Sequence, residues 1–418
     1  MRQFKNLVEF SLLIIIVLSL TGCWDQKELD QKAYVIGIGL DPHEAEGKVK
    51  VTYIIANPEV GSQQSGGGTN EPPQETITLA ADDFISSRNT ANTVISKEIS
   101  YDLLRVIIVS EKLAKESDFI RWIYSAAKDR EIKRSTKLIV TKESAAKFIS
   151  NNKPKLETRP HKYFEFMIDR GQQTGMIPNT DLNDFFRVTE SDADLFLAIY
   201  ATTEKEESDR SNMSDDDFLA GEIQVEGVTN DAQFIGSAVF KEGIMIGKIT
   251  GEETRISSLL DDTWDIGDFK TTFKDPFDER FRISARIAKT RANKFEFKQQ
   301  SGRPVIDIKV PLYIEVLSDP SMINYAKNKE KVNDLKKAMR TKIEDNITKY
   351  IKYTQEEFKG DTFHLSIPIR TEFGTLGEFR DFDWMKSYSN AEVNVSVDIR
   401  FGEFGRQTKF PKLEEVRD

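Results

Sequence analysis

A single cysteine, Cys23, stands directly after the only strongly apolar run of the chain, Phe10 to Leu20. With one thiol, no intramolecular disulfide, CxxC zinc site or cysteine-ligated cluster can form, so each domain must be held by its own apolar core. A chain of 418 residues is long enough for two or three such cores. Phe10–Leu20 is too short to span a bilayer, which takes about 20 apolar residues. Arg2 and Lys5 precede it and Thr21-Gly22 follow it. A basic start, a short apolar stretch and small residues before a cut are the layout of a secretory signal, here weakened slightly by Glu9.

Leu20-Thr21-Gly22-Cys23 also resembles a bacterial lipobox, in which the thiol takes up diacylglycerol and cleavage makes the cysteine the first residue of the mature chain. The expected product is an S-diacylglycerol, N-palmitoyl Cys23, with residues 1–22 removed as the signal peptide. The plainer alternative, an unpaired leftover cysteine, does not account for its place beside the apolar run. Each buried CH₂ contributes about 0.8 kcal/mol, so two or three acyl chains hold stably where one holds marginally. Losing Arg2, Lys5 and Glu9 with the signal takes the net charge from −10 to −11. Anionic lipid would repel such a body as a whole, which leaves the acyl chains to anchor it. Just beyond, Asp25 and Glu28 have capping-box spacing, with Trp24 and Leu29 at the staple positions. Trp24 equally suits the membrane interface, where indole is favoured.

Hydrophobic residues make up 39% and charged residues 31%, a composition that excludes disorder throughout. Ala33–Leu40 and Lys48–Ala56 read as an antiparallel strand pair. Gly37 and Gly39 lack the third glycine and following helix of a dinucleotide loop, so a bulge or close packing is the better account. Residues 58–75 are Gly-, Ser-, Gln- and Pro-rich, a mobile-loop composition. Beyond them the pattern predicts strands at Glu75–Ala80, Leu103–Val109, Thr136–Val140 and Asp194–Thr202. Helices are expected over Asp82–Ser96, Glu111–Lys115, Asp118–Lys128, Ser144–Ser150, Lys162–Gln172 and Thr180–Val188. Such alternation points to an α/β layered region over 23–203 with a mixed sheet. Arg88, Arg105, Lys128, Arg130, Lys133 and Arg134 add local positive charge, read as a solvated face.

The stretch 204–218 is polar and acidic and is expected to be a flexible linker and the main boundary. It lacks the register of a calcium loop. The second region, 219–405, is richer in strands: Glu222–Val228, Gln233–Phe240, Ile244–Ile249, Asp265–Phe273, Arg280–Lys289, Lys294–Gln299, Val305–Val316 and Ala391–Phe401. Lys241-Glu242-Gly243 suits a three-residue hairpin turn. A long helix over about Ser321–Phe358 carries Val332, Leu335, Met339, Ile343, Ile347 and Ile351 as one stripe. A short helix near Leu376–Trp384 and a polar tail, 406–418, complete an α/β (mixed α+β) multi-domain architecture of central sheets flanked by helices.

Chemistry is harder to find. The three histidines, His43, His161 and His364, are too far apart in sequence for a local metal-ligand set. No GxSxG, P-loop or GxGxxG occurs. The negative charge and the absence of a long basic cluster argue against nucleic acid. His364, within Asp361-Thr362-Phe363-His364-Leu365, is the best-placed imidazole for catalysis, although a structural histidine is the plainer reading. No catalytic residue, cofactor site or metal site is predicted.

Three stretches together resemble the Ger(x)C family, the lipoprotein C subunits of spore germinant receptors. In residues 22–41 the match is carried by Gly22, Cys23, Trp24, Asp25, Glu28, Leu29, Gly37, Gly39 and Asp41, with Lys27 where arginine is common. Residues 236–254, GSAVFKEGIMIGKITGEET, are similar to the family's Gly-x-Ala-Val-Phe hairpin and following Glu-Thr. The third runs from Tyr353-Thr354-Gln355 through Asp361 and Phe363 to Trp384. Tyr101 departs from the pattern, standing where a histidine is often seen. The resemblance implies three sheet-centred domains, no enzymatic activity, and a place on the outer face of the spore inner membrane. It also implies two polytopic membrane partners, A-type and B-type subunits. A membrane-tethered extracytoplasmic lipoprotein that captures a solute or peptide is the alternative, and a hydrolase using paired carboxylates a remoter one.

Overall fold

The structure is a computed structural model that describes residues 31–57, 72–191, 193–206, 216–300, 302–323, 325 and 328–404, together with 4, 6, 10 and 11. Cys23, Trp24, Asp25 and Glu28, nearly all of the 58–75 loop, most of the 204–218 stretch and the 406–418 tail lie outside the described residues.

The first sheet is built from β1 (Lys32–Pro42), β2 (Val49–Ala56), β3 (Gln74–Ala81), β4 (Glu98–Ser100), β5 (Val106–Ser110), β6 (Lys137–Thr141), β7 (Phe196–Thr202), β8 (Gln233–Lys241) and β9 (Ile244–Ile249). Their order is β3-β2-β1-β5-β6-β7-β8-β9, with β4 paired to β1. β1, β5, β6 and β7 are parallel, flanked by antiparallel pairs on both sides. Helices α1 (Ser87–Ala91), α2 (Glu111–Ala114), α3 (Phe119–Ala126), α4 (Ala145–Asn151), α5 (Pro160–Thr174) and α6 (Leu182–Ser191) cover its faces. Ile107 and Val109 of β5 enter one core with Phe119 and Phe185, while Val106 and Ile108 enter the other with Phe148 and Tyr163. Period-two alternation with both faces apolar is what a sheet between helix layers requires.

Gly37 and Gly39 sit on the second of these faces. A Cβ on Gly37 would lie 2.8 Å from Ile54 Cδ1, and one on Gly39 2.8 Å from Ile149 Cδ1. Close packing therefore explains both, and the register shift between Val35 and Gly37 adds the bulge. Asp41, at the end of β1, accepts the backbone N–H groups of Ala145 (2.8 Å) and Ala146 (3.0 Å), capping α4 from another element.

The expected boundary at 204–218 falls within this sheet, because β7 and β8 on either side of it are hydrogen-bonded neighbours. A polar run marks exposed chain and need not end a sheet. The change of sheet comes later, after α7 (Gly251–Leu260). The second sheet contains β10 (Phe269–Lys274), β11 (Arg282–Lys289), β12 (Lys294–Gln300), β13 (Arg303–Ser318) and β14 (Glu392–Phe404). β12 pairs with the first half of β13 and β11 with the second half, while β14 runs parallel along its length. Pro311 is tolerated in this central strand because it falls in the gap between β12 and β11, where its missing N–H loses no ladder bond. Helix α8 (Lys329–Tyr353) lays Leu335, Met339, Ile343, Ile347 and Ile351 on the sheet, then continues as a π-helical turn, Thr354–Phe358. The chain returns to β14 through α9 (Ser366–Arg370), α10 (Leu376–Phe382) and α11 (Trp384–Tyr388). Where the resemblance implies three domains, the described strands gather into two sheets.

Several expected elements differ. Asp82–Ser96 is helical only over α1, since its Asp, Ser and Asn residues favour turns and its β-branched residues lose rotamer freedom in a helix, and Asn92 Oδ1 instead accepts the Ile99 N–H (2.9 Å). Glu222–Val228 forms no strand: the Gln233 amide bonds the backbone of Gly221 and Ile223 in place of a ladder. The β8–β9 hairpin turns on two residues, Glu242 and Gly243, both at positive φ, as a type I′ loop demands. α8 begins at the Asn328 cap, well after Ser321. Asp383, at φ 50°, splits Leu376–Trp384 into α10 and α11. Helix α7 lacks a counterpart in the expectations, although Thr250 and Glu253 form its capping box.

Candidate functional site

The chemistry-bearing residues converge where the two sheets meet. β7 and β8 give Leu197 and Val239, α7 gives Ile256, Leu259 and Leu260, and these pack into one core with the second sheet and α8. The junction is thus a packed interface, which resists relative motion of the two halves. At its centre Asp361 is completely buried. Its carboxyl accepts the Trp384 indole N–H (2.7 Å) and the backbone N–H groups of Phe363 (3.2 Å) and Leu365 (3.1 Å). Its carbonyl accepts the Leu195 N–H (2.8 Å) across the junction. Asp194, just before β7, accepts the Ser366 hydroxyl (2.6 Å). His364, in the left-handed region at φ 55°, places Nδ1 2.9 Å from Asp261 Oδ2 at the end of α7.

These groups shift one another. Burial pushes the His364 imidazole down, but the hydrogen bond and charge of Asp261, with Asp194 beyond, outweigh it and lift the group to about 9. Burial would raise Asp261, yet the His364 partner holds it below the usual carboxylate range. The pair is therefore a buried imidazolium–carboxylate at neutral pH. Burial, and then the Asp194 charge, push Asp361 up to about 8 against the pull of its N–H donors. Burial raises Asp194 likewise. Among the described residues His364 Nε2 has no hydrogen-bond partner, and the imidazole lines a cavity of about 20 Å³ with Asp184, Ser258 and Trp264. With one ring nitrogen committed to Asp261 and the site closed, His364 is a structural histidine.

The residues of the resemblance are explained by the same geometry. Gln355 donates its amide to the carbonyls of Tyr388 and Ala391 (2.9 Å each), tying the end of α8 to the entry of β14. Gly236, at φ 85°, faces the Ile249 carbonyl so closely that no Cβ fits. Tyr101 is buried, donates to the Phe84 carbonyl (2.7 Å) and meets Tyr53 Oη (2.8 Å), with Arg88 over its ring. Asp194, Asp261 and Ser366 escaped the sequence reading, since only folding brings positions so distant in the chain together.

A cleft of about 790 Å³ lies beside the junction, between α7, β10 and α8. Lys274, Arg282, Lys342 and Lys349 line it with Asp275 and Glu279, and Tyr350 and Tyr353 form an aromatic wall. Among the described residues no group of three or more His, Cys, Asp or Glu is placed to hold a metal ion. Among the same residues no helix is long and apolar enough to cross a membrane.

Two family models match in sequence order: the spore germination protein N-terminal domain over residues 25–202, and the spore germination B3/GerAC-like C-terminal domain over residues 235–405. Spore germination protein B3 of Bacillus subtilis (strain 168) is 21% identical over 404 residues, covering 96% of this chain and 99% of the relative. Spore germination protein KC of the same organism is 22% identical, over 95% and 94% of the two chains. The crystal structure of the GerBC protein superposes with a TM-score of 0.53 at 17% identity, over 90% of this chain and 99% of that one, and so shares the fold. Fold and paired domains together define the class, a non-catalytic protein of spore germination. The chain belongs to the Ger(x)C family.

Proposed function

We propose that the chain is the lipid-anchored C subunit of a spore germinant receptor. Residues 1–22 are removed as a signal peptide, and Cys23 carries the S-diacylglycerol and N-palmitoyl groups. The body then stands on the extracytoplasmic face of the membrane, in the spore the inner membrane, and assembles with an A-type and a B-type integral subunit. Trp24, Asp25 and Glu28, next to the anchor, cap the first turn or meet the membrane partners. Residues 23–203 and 219–405 act as a scaffold. Tethering makes binding to the integral subunits effectively intramolecular, which raises occupancy without any new contact.

The observation that carries this reading is the match to germination proteins B3 and KC over nearly the whole length of each chain. Cys23 follows the apolar run within that span. Intact-mass analysis of the membrane-extracted protein tests it: the mature chain should begin at a triacylated or diacylated Cys23, and Cys23→Ala should leave the membrane fraction. A chain that begins elsewhere, or an alanine variant still on the membrane, removes the anchor from the account. The 790 Å³ cleft favours a second reading, capture of a small solute. A ligand-dependent rise in melting temperature would support that reading, and a flat response to a panel of small polar solutes would remove it.

A further inference from the structure

We propose that the end of the first sheet where β1 begins is a membrane-contact face that takes anionic phospholipid headgroups, with Leu156 and Leu103 entering the headgroup boundary. The proposal rests on the lipid anchor at Cys23 and adds the orientation in which the anchored body sits.

Lys32, the first residue of β1, is nine residues from Cys23. Nine extended residues reach at most about 30 Å, so this end of the sheet cannot stray far from the bilayer. Tyr34 of β1 shares a concavity of about 330 Å³ with Leu103, Arg105, Arg159 and His161. The loop between α4 and α5, which delivers Arg159, also carries Lys153, Lys155 and Leu156. Leu156 is fully exposed and Leu103 is 42% exposed.

The local charge is opposite to that of the chain as a whole. The acids at this end are already engaged: Asp102 pairs with Lys32 (3.1 Å), Glu131 with Arg88 (2.9 Å), Glu98 beside Lys32 has its own partner, and Glu157 takes the Arg159 guanidinium through two bonds (2.8 and 2.7 Å). Arg105 and Lys155 are exposed and have no ion-pair partner among the described residues. Free cations beside a bare leucine, on a face held within reach of the bilayer, complement an anionic lipid surface. A scattered exposed leucine on a soluble body would need no explanation. Among the described residues the second half of the chain docks through Asp194 and Leu195 at the start of β7, three strands along the sheet from β1. An anchored protein needs only a weak contact to fix its tilt, because the anchor supplies the effective concentration.

The test uses the full chain lipidated at Cys23, in vesicles of phosphatidylglycerol and phosphatidylcholine. Acylation consumes the natural thiol, so Leu156→Cys, or Lys298→Cys on β12, supplies the one free sulfur for a fluorescent probe. Nitroxide-labelled lipid should quench the probe at 156 several-fold more than the probe at 298. The difference should shrink in phosphatidylcholine alone, and with Arg105→Glu and Lys155→Glu combined. Equal quenching at both positions, or quenching at 156 indifferent to lipid charge and to the glutamates, with the protein still in the vesicle pellet, overturns the proposal alone. Loss of the protein from the pellet overturns the anchor itself and the proposal with it.

Discussion

Replacing Asp261 with asparagine should weaken the junction strongly below pH 6.5 and only slightly well above pH 9. Folding lifts the His364 imidazole from 6.5 to about 9. At about 1.4 kcal/mol per pH unit, that difference corresponds to about 3 kcal/mol. The figure agrees with the cost of about 3–5 kcal/mol for removing one partner of a buried ion pair. Because the folded group is raised, its contribution is fully present below 6.5 and is lost as pH rises through about 9. Asparagine keeps the shape and still accepts the Thr263 N–H, which Asp261 Oδ1 takes at 2.8 Å. Without the Asp261 carboxylate, burial and the like charge of Arg187 push His364 down against the charge of Asp194 alone. In alkaline solution the bond from the neutral imidazole to the carboxylate is exchanged for one between the imidazole and the asparagine amide, a net loss of about 1 kcal/mol. Urea denaturation followed by tryptophan fluorescence reads the effect, because Trp264 and Trp384 both lie at this junction. A loss of the same size at both pH values would refute the ion pair as the source of the stability.

Trp384→Phe should cost about 2 kcal/mol, since it leaves Asp361 short of a donor in a closed site, and a urea midpoint measured against the wild type checks it. Ile347→Ala, on the completely buried stripe of α8, should cost about 3 kcal/mol and lower the calorimetric melting temperature. Gly236→Ala should be worse tolerated than its one added methyl implies. It combines a left-handed backbone with a Cβ set against the Ile249 carbonyl, so little soluble protein should be recovered.

The parallel centre of the first sheet was legible because β5, β6 and β7 are short apolar runs punctuated by helical periodicity. The stripe of α8 was equally plain, five residues recurring at helical spacing and all buried on one sheet. What sequence pattern could not supply was the partition of strands between sheets. The acidic stretch after β7 has the composition of a linker, and nothing local reveals that β8 returns to pair with β7. Glu222–Val228 alternates like a strand, but whether its backbone meets a ladder or the Gln233 side chain is decided by tertiary contact. The junction site was half legible. Asp361 and Trp384 stood out through the resemblance, whereas Asp194 and Asp261 look like any other surface carboxylates until folding places them beside His364. The capping box at Thr250 and Glu253 was a local signal that would have revealed α7.

The central claim, that this chain works as an anchored subunit of a membrane receptor, is tested most directly by affinity purification of a tagged copy from detergent-solubilised spore membranes in which its partners are expressed. The account predicts that two polytopic membrane proteins, one A-type and one B-type, come down with the tagged chain. Recovery of the tagged chain alone, with both membrane proteins present in the solubilised material, would contradict it.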